Sequence, residues 1–270
     1  MTFIVTFTLL VLPMASDPST PHDHQADDGP SAARGAADHG NPAGHGVPAE
    51  DGGPAGAHAA HAAHADHADH ADHADHDSHG NPADFDAYVA RMEEPERAVW
   101  QKPDEVVKAL GLAPGARVCE IGPGPGYFTL RLARTVGPDG LIYAVDVEPR
   151  MLAVLADRLA TSGTRNVLPV LGLPDDPLVP AAACDLVLIV DVLHHLPDPV
   201  AFLTRLSRSL AKGGRIVDID FHKRETPVGP PPEMRIARDD AVAFAKKAGL
   251  AVSAERDFLP YQYFLELRRR

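Results

Sequence analysis

A doubly wound α/β sheet is the fold class this sequence predicts, and three observations lead there. Short apolar runs, each of strand length, alternate with amphipathic helical stretches from residue 117 onward. The first run, Arg117 to Ile121, opens directly into a loop of three alternating glycines, Gly122, Gly124 and Gly126. The second, Leu141 to Val145, ends in an acid, Asp146, twenty residues after Gly126. Apolar runs without polar alternation are what strands covered on both faces require, so most of the sheet should be parallel with helices on both sides.

The elements follow in order. Tyr88, Val89, Met92, Val99 and Trp100 carry helical spacing interrupted at Pro95, and Pro103 with Asp104 and Glu105 opens a second helix that closes at Gly111. Both should pack in front of the sheet, where they could cover a ligand pocket. A helix begins near Tyr127 and runs through Arg134. Glu148-Pro149 starts another, with Met151, Leu152, Leu155 and Leu159 on one face and Gly163 at its end. Asn166 to Leu171 is the third strand and Asp185 to Val190 the fourth. Asp198-Pro199 caps a helix with Val200, Leu203, Leu206 and Leu210 inward, ended by Gly213-Gly214, before a fifth strand at Arg215 to Ile219. After a stiff Pro227 to Pro232 loop comes a helix over Asp239 to Ala248, then two closing strands, Ala251 to Phe258 and Tyr261 to Leu267, which form an antiparallel hairpin at the sheet edge. That makes seven strands, whose order is not legible from sequence.

Charge and composition divide the chain before this domain begins. Of a net charge of −13, residues 1–80 hold 12 acids against Arg34 alone, and the rest is nearly balanced. A near-neutral domain over residues 84–270 offers no nucleic-acid surface, and Arg268-Arg269-Arg270 reads as a solvated end. Thr2 to Leu12 is an apolar run too short to span a bilayer but suited to a signal peptide, so residues 1–15 are read as a leader and the mature chain as lacking a membrane span. Export to the periplasm is favoured over a cytoplasmic location, although no Lys or Arg precedes the run.

Residues 16–83, rich in Ala, Gly, Pro, Asp and His, are expected to be disordered because they have too little apolar surface to offset ordering entropy. Histidine recurs there every third residue: His58, His61, His64, His67, His70, His73, His76 and His79. With interleaved aspartates they suit weak divalent-metal binding, or form a solvated spacer. The two cysteines, Cys119 and Cys184, are expected as small buried apolar residues with no disulfide framework.

Function centres on the glycine loop. Glycines at alternate positions let a ligand lie against bare main chain, and an acid at the end of the next strand can accept from two ribose hydroxyls. The dinucleotide fingerprint would need glycine at position 127, where the chain has Tyr127, which disfavours an NAD-dependent oxidoreductase. The E-x-G-x-G-x-G spacing from Glu120 resembles motif I of the class I S-adenosylmethionine (SAM) dependent methyltransferases. Asp191-Val192-Leu193-His194-His195-Leu196-Pro197-Asp198 resembles the motif IV region of their small-molecule type, the type 11 and 25 enzymes, and Lys212-Gly213-Gly214-Arg215 resembles their K-P-G-G turn. Glu96 to Pro103 and Asp257 to Phe264 resemble segments of a bacterial subset.

The resemblance implies a Rossmann-like sheet and SAM as cofactor. It makes Gly122, Gly124 and Gly126 the bed for the methionyl and ribose parts, has Glu120 orient the amino-acid end, and has Asp146 hold the ribose. Asp191 would join the cofactor site. Leu173 follows Gly172 where the family often has an acid for the adenine amino group, so Asp175 or Asp176 would supply it. The acceptor is expected to be a small or lipid-like molecule. If its nucleophile must lose a proton, Asp191, His194, His195 and His222 are the candidate bases, each with a structural role as the alternative. A second reading is a metal-binding or SAM-sensing protein without turnover, with the His-rich tail as metal site.

Overall fold

The computed structural model describes residues 84–270. The expected leader, the expected disordered segment and all eight repeat histidines lie outside the described residues.

Three helices come first: α1 (Phe85–Met92), α2 (Arg97–Gln101) and α3 (Pro103–Leu110). Asp84 caps α1 by accepting from the Ala87 amide at 3.0 Å. The alternating part follows as β1 (Arg117–Ile121), α4 (Thr129–Val136), β2 (Leu141–Asp146), α5 (Pro149–Ser162), β3 (Val167–Leu171), β4 (Cys184–Val190), α6 (Pro199–Ser209) and β5 (Leu210–Phe221). The chain closes with α7 (Arg238–Lys247), β6 (Leu250–Arg256) and β7 (Gln262–Arg269). Single turns of 3₁₀ helix occur at Leu193–His195 and Pro232–Met234. The expected starts at Pro103, Pro149 and Pro199 hold because proline's fixed φ suits the first helical position.

The seven strands run in the order β3-β2-β1-β4-β5-β7-β6. All pairs from β3 to β5 are parallel, and β7 joins β5 and β6 antiparallel, as the expected hairpin requires. On one face α6 and α7 pack Phe202, Leu203, Leu206, Ala241 and Ala245 against Ile121, Val187 and Ile189. On the other, α3 and α4 bury Val106, Leu110, Leu132 and Val136 against Val118, Leu186 and Val217, and α5 sets Leu155 and Leu159 against Ala144. Order reverses between β1 and β4, and a crevice at the carboxyl ends of those strands is where such sheets take ligands.

Two expectations are corrected. Helix α6 ends at Ser209 rather than at Gly213-Gly214, because Leu210 already pairs with Cys184 and the glycine pair makes a bulge inside β5. A Cβ on Gly214 would stand 2.9 Å from the Cys184 carbonyl oxygen, so only glycine fits there. Cys119 and Cys184, expected as unlinked apolar residues, form a disulfide with their Cα atoms 5.8 Å apart. Both are fully buried on the α6/α7 face, so adjacent strands of the central sheet are stapled at its core.

Candidate active site

The glycine loop forms because β1 ends among buried side chains and must turn at once. Gly122 donates its amide to the Val145 carbonyl at 2.8 Å, and Gly126 closes the turn onto Pro123 at 3.0 Å. Asp146, at the end of β2, accepts from the Gly124 amide at 3.2 Å and from the Glu148 amide at 3.0 Å. The carboxylate is thereby fixed at the lip of the loop. Burial holds its pKa above the ordinary value, with the backbone donors pulling the other way.

Gly124 has φ +53°, and a Cβ placed there would lie 3.1 Å from Met92 Sδ. Helix α1 therefore lies directly over the bare main chain. Phe85 of the same helix sits under the Arg150 guanidinium, 4.3 Å from ring centroid to charge, and Glu93 pairs with Arg158 of α5 at 2.5 Å. Arg158 also donates to the Pro125 carbonyl at 2.8 Å, so α1, the loop and α5 are tied together.

Glu120 is 3% exposed and accepts from the Thr129 hydroxyl at 2.6 Å. Burial pushes its pKa up to about 7, against the pull of the Thr129 hydrogen bond. Asp191 follows β4 with φ +56° and turns its carboxylate toward two buried amides. Gln101 Nε2 donates to one oxygen at 3.1 Å and Gln262 Nε2 to the other at 2.7 Å. Burial first, and the neighbouring Asp220 second, push its pKa up to about 6. Arg97 donates to Gln101 Oε1 at 2.5 Å and to the Met92 carbonyl at 2.8 Å, while its guanidinium stacks 4.1 Å from the Tyr127 ring centroid. The two peptides Glu96 to Pro103 and Asp257 to Phe264 thus meet on Asp191 through Gln101 and Gln262.

His194 lies just beyond Asp191 on the 3₁₀ turn, and its Nδ1 is 2.9 and 2.8 Å from the two oxygens of Asp220. Both side chains are buried, at 3% and 0% exposed. His195 is exposed, with its ring centroid 4.1 Å from that of His194. His222 follows β5, packs edge-on to Tyr263 at 5.9 Å, and has its pKa lowered by burial and by Arg224. Asp176 accepts from the Leu178 amide at 2.9 Å within the loop after β3. Asp175 is exposed and pairs with Arg205 at 2.6 Å. The structure therefore gathers Glu120, the three glycines, Asp146, Asp191 and His194 at the carboxyl ends of β1, β2 and β4, and sets Asp175 on the surface.

Sequence reading gave no role to Gln101, Gln262, Thr129, Asp220 or Arg235. Asp218 and Asp220 were visible as acids at alternate positions of an otherwise apolar strand, one face of which carries both. Asp218 is 1% exposed, with one oxygen lacking a partner among the described residues, and burial raises its pKa well above normal. Arg235 is 3% exposed and donates to the carbonyls of Pro230, His222 and Arg224 at 2.5, 3.0 and 2.6 Å. It knits the proline-rich loop to the end of β5. Among the described residues no cluster of His, Cys, Asp and Glu is arranged to hold a metal ion, and no helix is long and apolar enough to cross a membrane.

Residues 119–218 match a family described as a methyltransferase domain. A ubiquinone/menaquinone biosynthesis C-methyltransferase from Vibrio vulnificus is 31% identical over 118 residues, 43% of this chain and 45% of that protein. A demethylmenaquinone methyltransferase from Staphylococcus aureus is 29% identical over 133 residues, 49% of this chain and 54% of that protein. The chain spans about half the length of these curated relatives. Among solved structures, a SAM-dependent methyltransferase from Aquifex aeolicus superposes with a TM-score of 0.64 at 25% identity, covering 67% of this chain and 96% of that one. A type 11 methyltransferase from Sulfolobus solfataricus, at 21% identity and TM-score 0.52, shares the fold.

Proposed function

We propose that this chain, by family a class I S-adenosylmethionine-dependent methyltransferase, moves the sulfonium methyl group of SAM onto a small-molecule acceptor. One observation carries the reading: bare main chain at Gly124 lies beside the Asp146 carboxylate, at a strand-order reversal, with the buried acid Glu120 behind it. SAM supplies a methyl carbon already activated by positive sulfur. The protein's task is then alignment and exclusion of water, a proximity effect that can supply several kcal/mol.

Each residue's share follows from its chemistry. Asp146 accepts from the ribose hydroxyls, and Gly122, Gly124 and Gly126 give the methionyl and ribose parts room. Glu120 and Asp191 face the ammonium end, where a cation would draw both toward their ionised forms. Asp176, rather than the surface-paired Asp175, is the better placed acid for the adenine amino group. Arg97, Gln101 and Gln262 hold Asp191 in place from α2 and β7.

The names of the relatives support an acceptor of quinol type. The Cys119–Cys184 bond supports export to an oxidising compartment, in keeping with the apolar run at the start of the chain. The test is calorimetric binding of S-adenosylhomocysteine (SAH), followed by transfer of label from methyl-labelled SAM. Binding and transfer are expected, and a protein that binds no SAH would refute the reading.

A further inference from the structure

The geometry points to His194 as the catalytic base that takes a proton from a hydroxyl of the acceptor, with Asp220 as its positioning residue. This rests on the methyltransferase reading and deepens it, because it requires an acceptor that carries an ionisable aromatic hydroxyl.

The two oxygens of Asp220 face His194 Nδ1 at 2.9 and 2.8 Å, and Asp220 is itself fixed by the Phe221 amide at 2.8 Å. A carboxylate there makes Nδ1 the protonated nitrogen and leaves the lone pair on Nε2. Nε2 makes no hydrogen bond to the described residues, yet it is not among their sealed, unpartnered polar atoms. It therefore reaches solvent at the carboxyl end of β4, although the side chain as a whole is only 3% exposed. The turn that carries it begins at Leu193, two residues beyond Asp191 at the end of β4. An orienting carboxylate, a fixed tautomer and a free nitrogen at the carboxyl end of β4 are the parts of a general base.

The proton balance is simple. The hydroxyl proton goes to Nε2, giving an imidazolium that faces Asp220. The electron pair left on the acceptor forms the bond to the methyl carbon as the carbon–sulfur bond breaks, and that bond's pair stays on the sulfur of SAH. The imidazolium then releases its proton to water. The groups facing His194 are Asp220 from β5, Asp191 from the end of β4, Arg235 before α7, and the His195 ring on its own turn. Burial and Arg235 disfavour the imidazolium, but the Asp220 bond with the Asp220 and Asp191 charges prevails, so its pKa is raised.

The test uses the full chain, methyl-labelled SAM, and two probes under anaerobic conditions: 1,4-dihydroxynaphthalene and its dimethyl ether, which has no proton to give. Label should enter the first and not the second. His194→Gln should lower kcat about 10²- to 10³-fold with KM and SAH affinity nearly unchanged. Asp220→Asn should lower kcat less and move the ascending limb of the pH profile to lower pH, since the imidazole loses the charge that raises its pKa. Independently of turnover, the NMR titration of His194 should lie above the ordinary imidazole value in the wild type and fall in Asp220→Asn. Wild-type protein that binds SAH yet leaves the dihydroxy probe unlabelled, or labels both probes alike, would overturn the inference. So would His194→Gln turnover within about threefold of wild type, or a His194 titration at or below the ordinary value. Failure to bind SAH would instead bring down the methyltransferase reading beneath it.

Discussion

Glu120 Oε2 lies 2.6 Å from Thr129 Oγ1, so the acid near the end of β1 is fastened to the first residue of the helix beyond the glycine loop. The loop is clamped at both ends, by this bond and by Asp146 on the Gly124 amide. Burial of the Glu120 carboxyl raises its pKa to about 7, against the pull of the Thr129 hydrogen bond and the Arg97 charge.

A pH dependence of stability follows from that clamp. The folded pKa of Glu120, about 7, stands above its unfolded value of 4.5, and that of Asp191, about 6, stands above 3.8. The folded state therefore holds more protons, and this stability is fully present below about pH 4 and is lost as pH rises through 6 to 7. Urea midpoints of the ligand-free protein should fall from pH 5 to pH 8. Glu120→Gln should flatten the slope, with a difference on the order of 3 kcal/mol across the window. Parallel slopes for variant and wild type would show that Glu120 is already ionised.

Gly124→Val should abolish SAH binding in a folded protein. The site has φ +53°, and any Cβ arrives 3.1 Å from Met92 Sδ on the surface proposed for the ligand. Calorimetry beside a circular dichroism spectrum checks this, and unchanged affinity would show that the loop is only a turn.

Asp146→Ala should weaken SAH binding by about 1–3 kcal/mol, because ribose hydroxyls lose a charged acceptor. The same change orphans the Gly124 and Glu148 amides, so the thermal midpoint should fall as well. Asp146→Asn, which keeps one acceptor oxygen, should fall between the two in affinity.

The strand alternation, the helix starts at proline and the C-terminal hairpin were legible because each rests on local signals: apolar runs, fixed φ, turn residues. Glu120, Asp146 and the glycines could be proposed as a site from sequence because an acid, three alternating glycines and an acid ending the next strand stand at short, fixed spacings. The meeting of Gln101 and Gln262 on Asp191 was not, since it depends on residues 90 and 71 positions away in the chain and on a strand order that sequence does not reveal. The disulfide escaped for the same reason. Its cysteines are 65 residues apart, and only the pairing of β1 with β4 brings them together.

Cys184→Ser should cost roughly 2–4 kcal/mol of stability, since the bond closes a span of 65 residues and both sulfurs are buried. Denaturant unfolding with and without reductant measures it. If reductant leaves the wild-type midpoint where it was, the two thiols are unlinked in solution.

The most direct measurement of the central claim is calorimetric titration of residues 84–270 with SAH and, separately, with NAD. That segment contains every residue proposed to contact the cofactor, and it should fold without the preceding chain. SAH is predicted to bind at one site and NAD not at all, because Tyr127 stands where a dinucleotide loop needs glycine. Binding of NAD without binding of SAH would contradict the account.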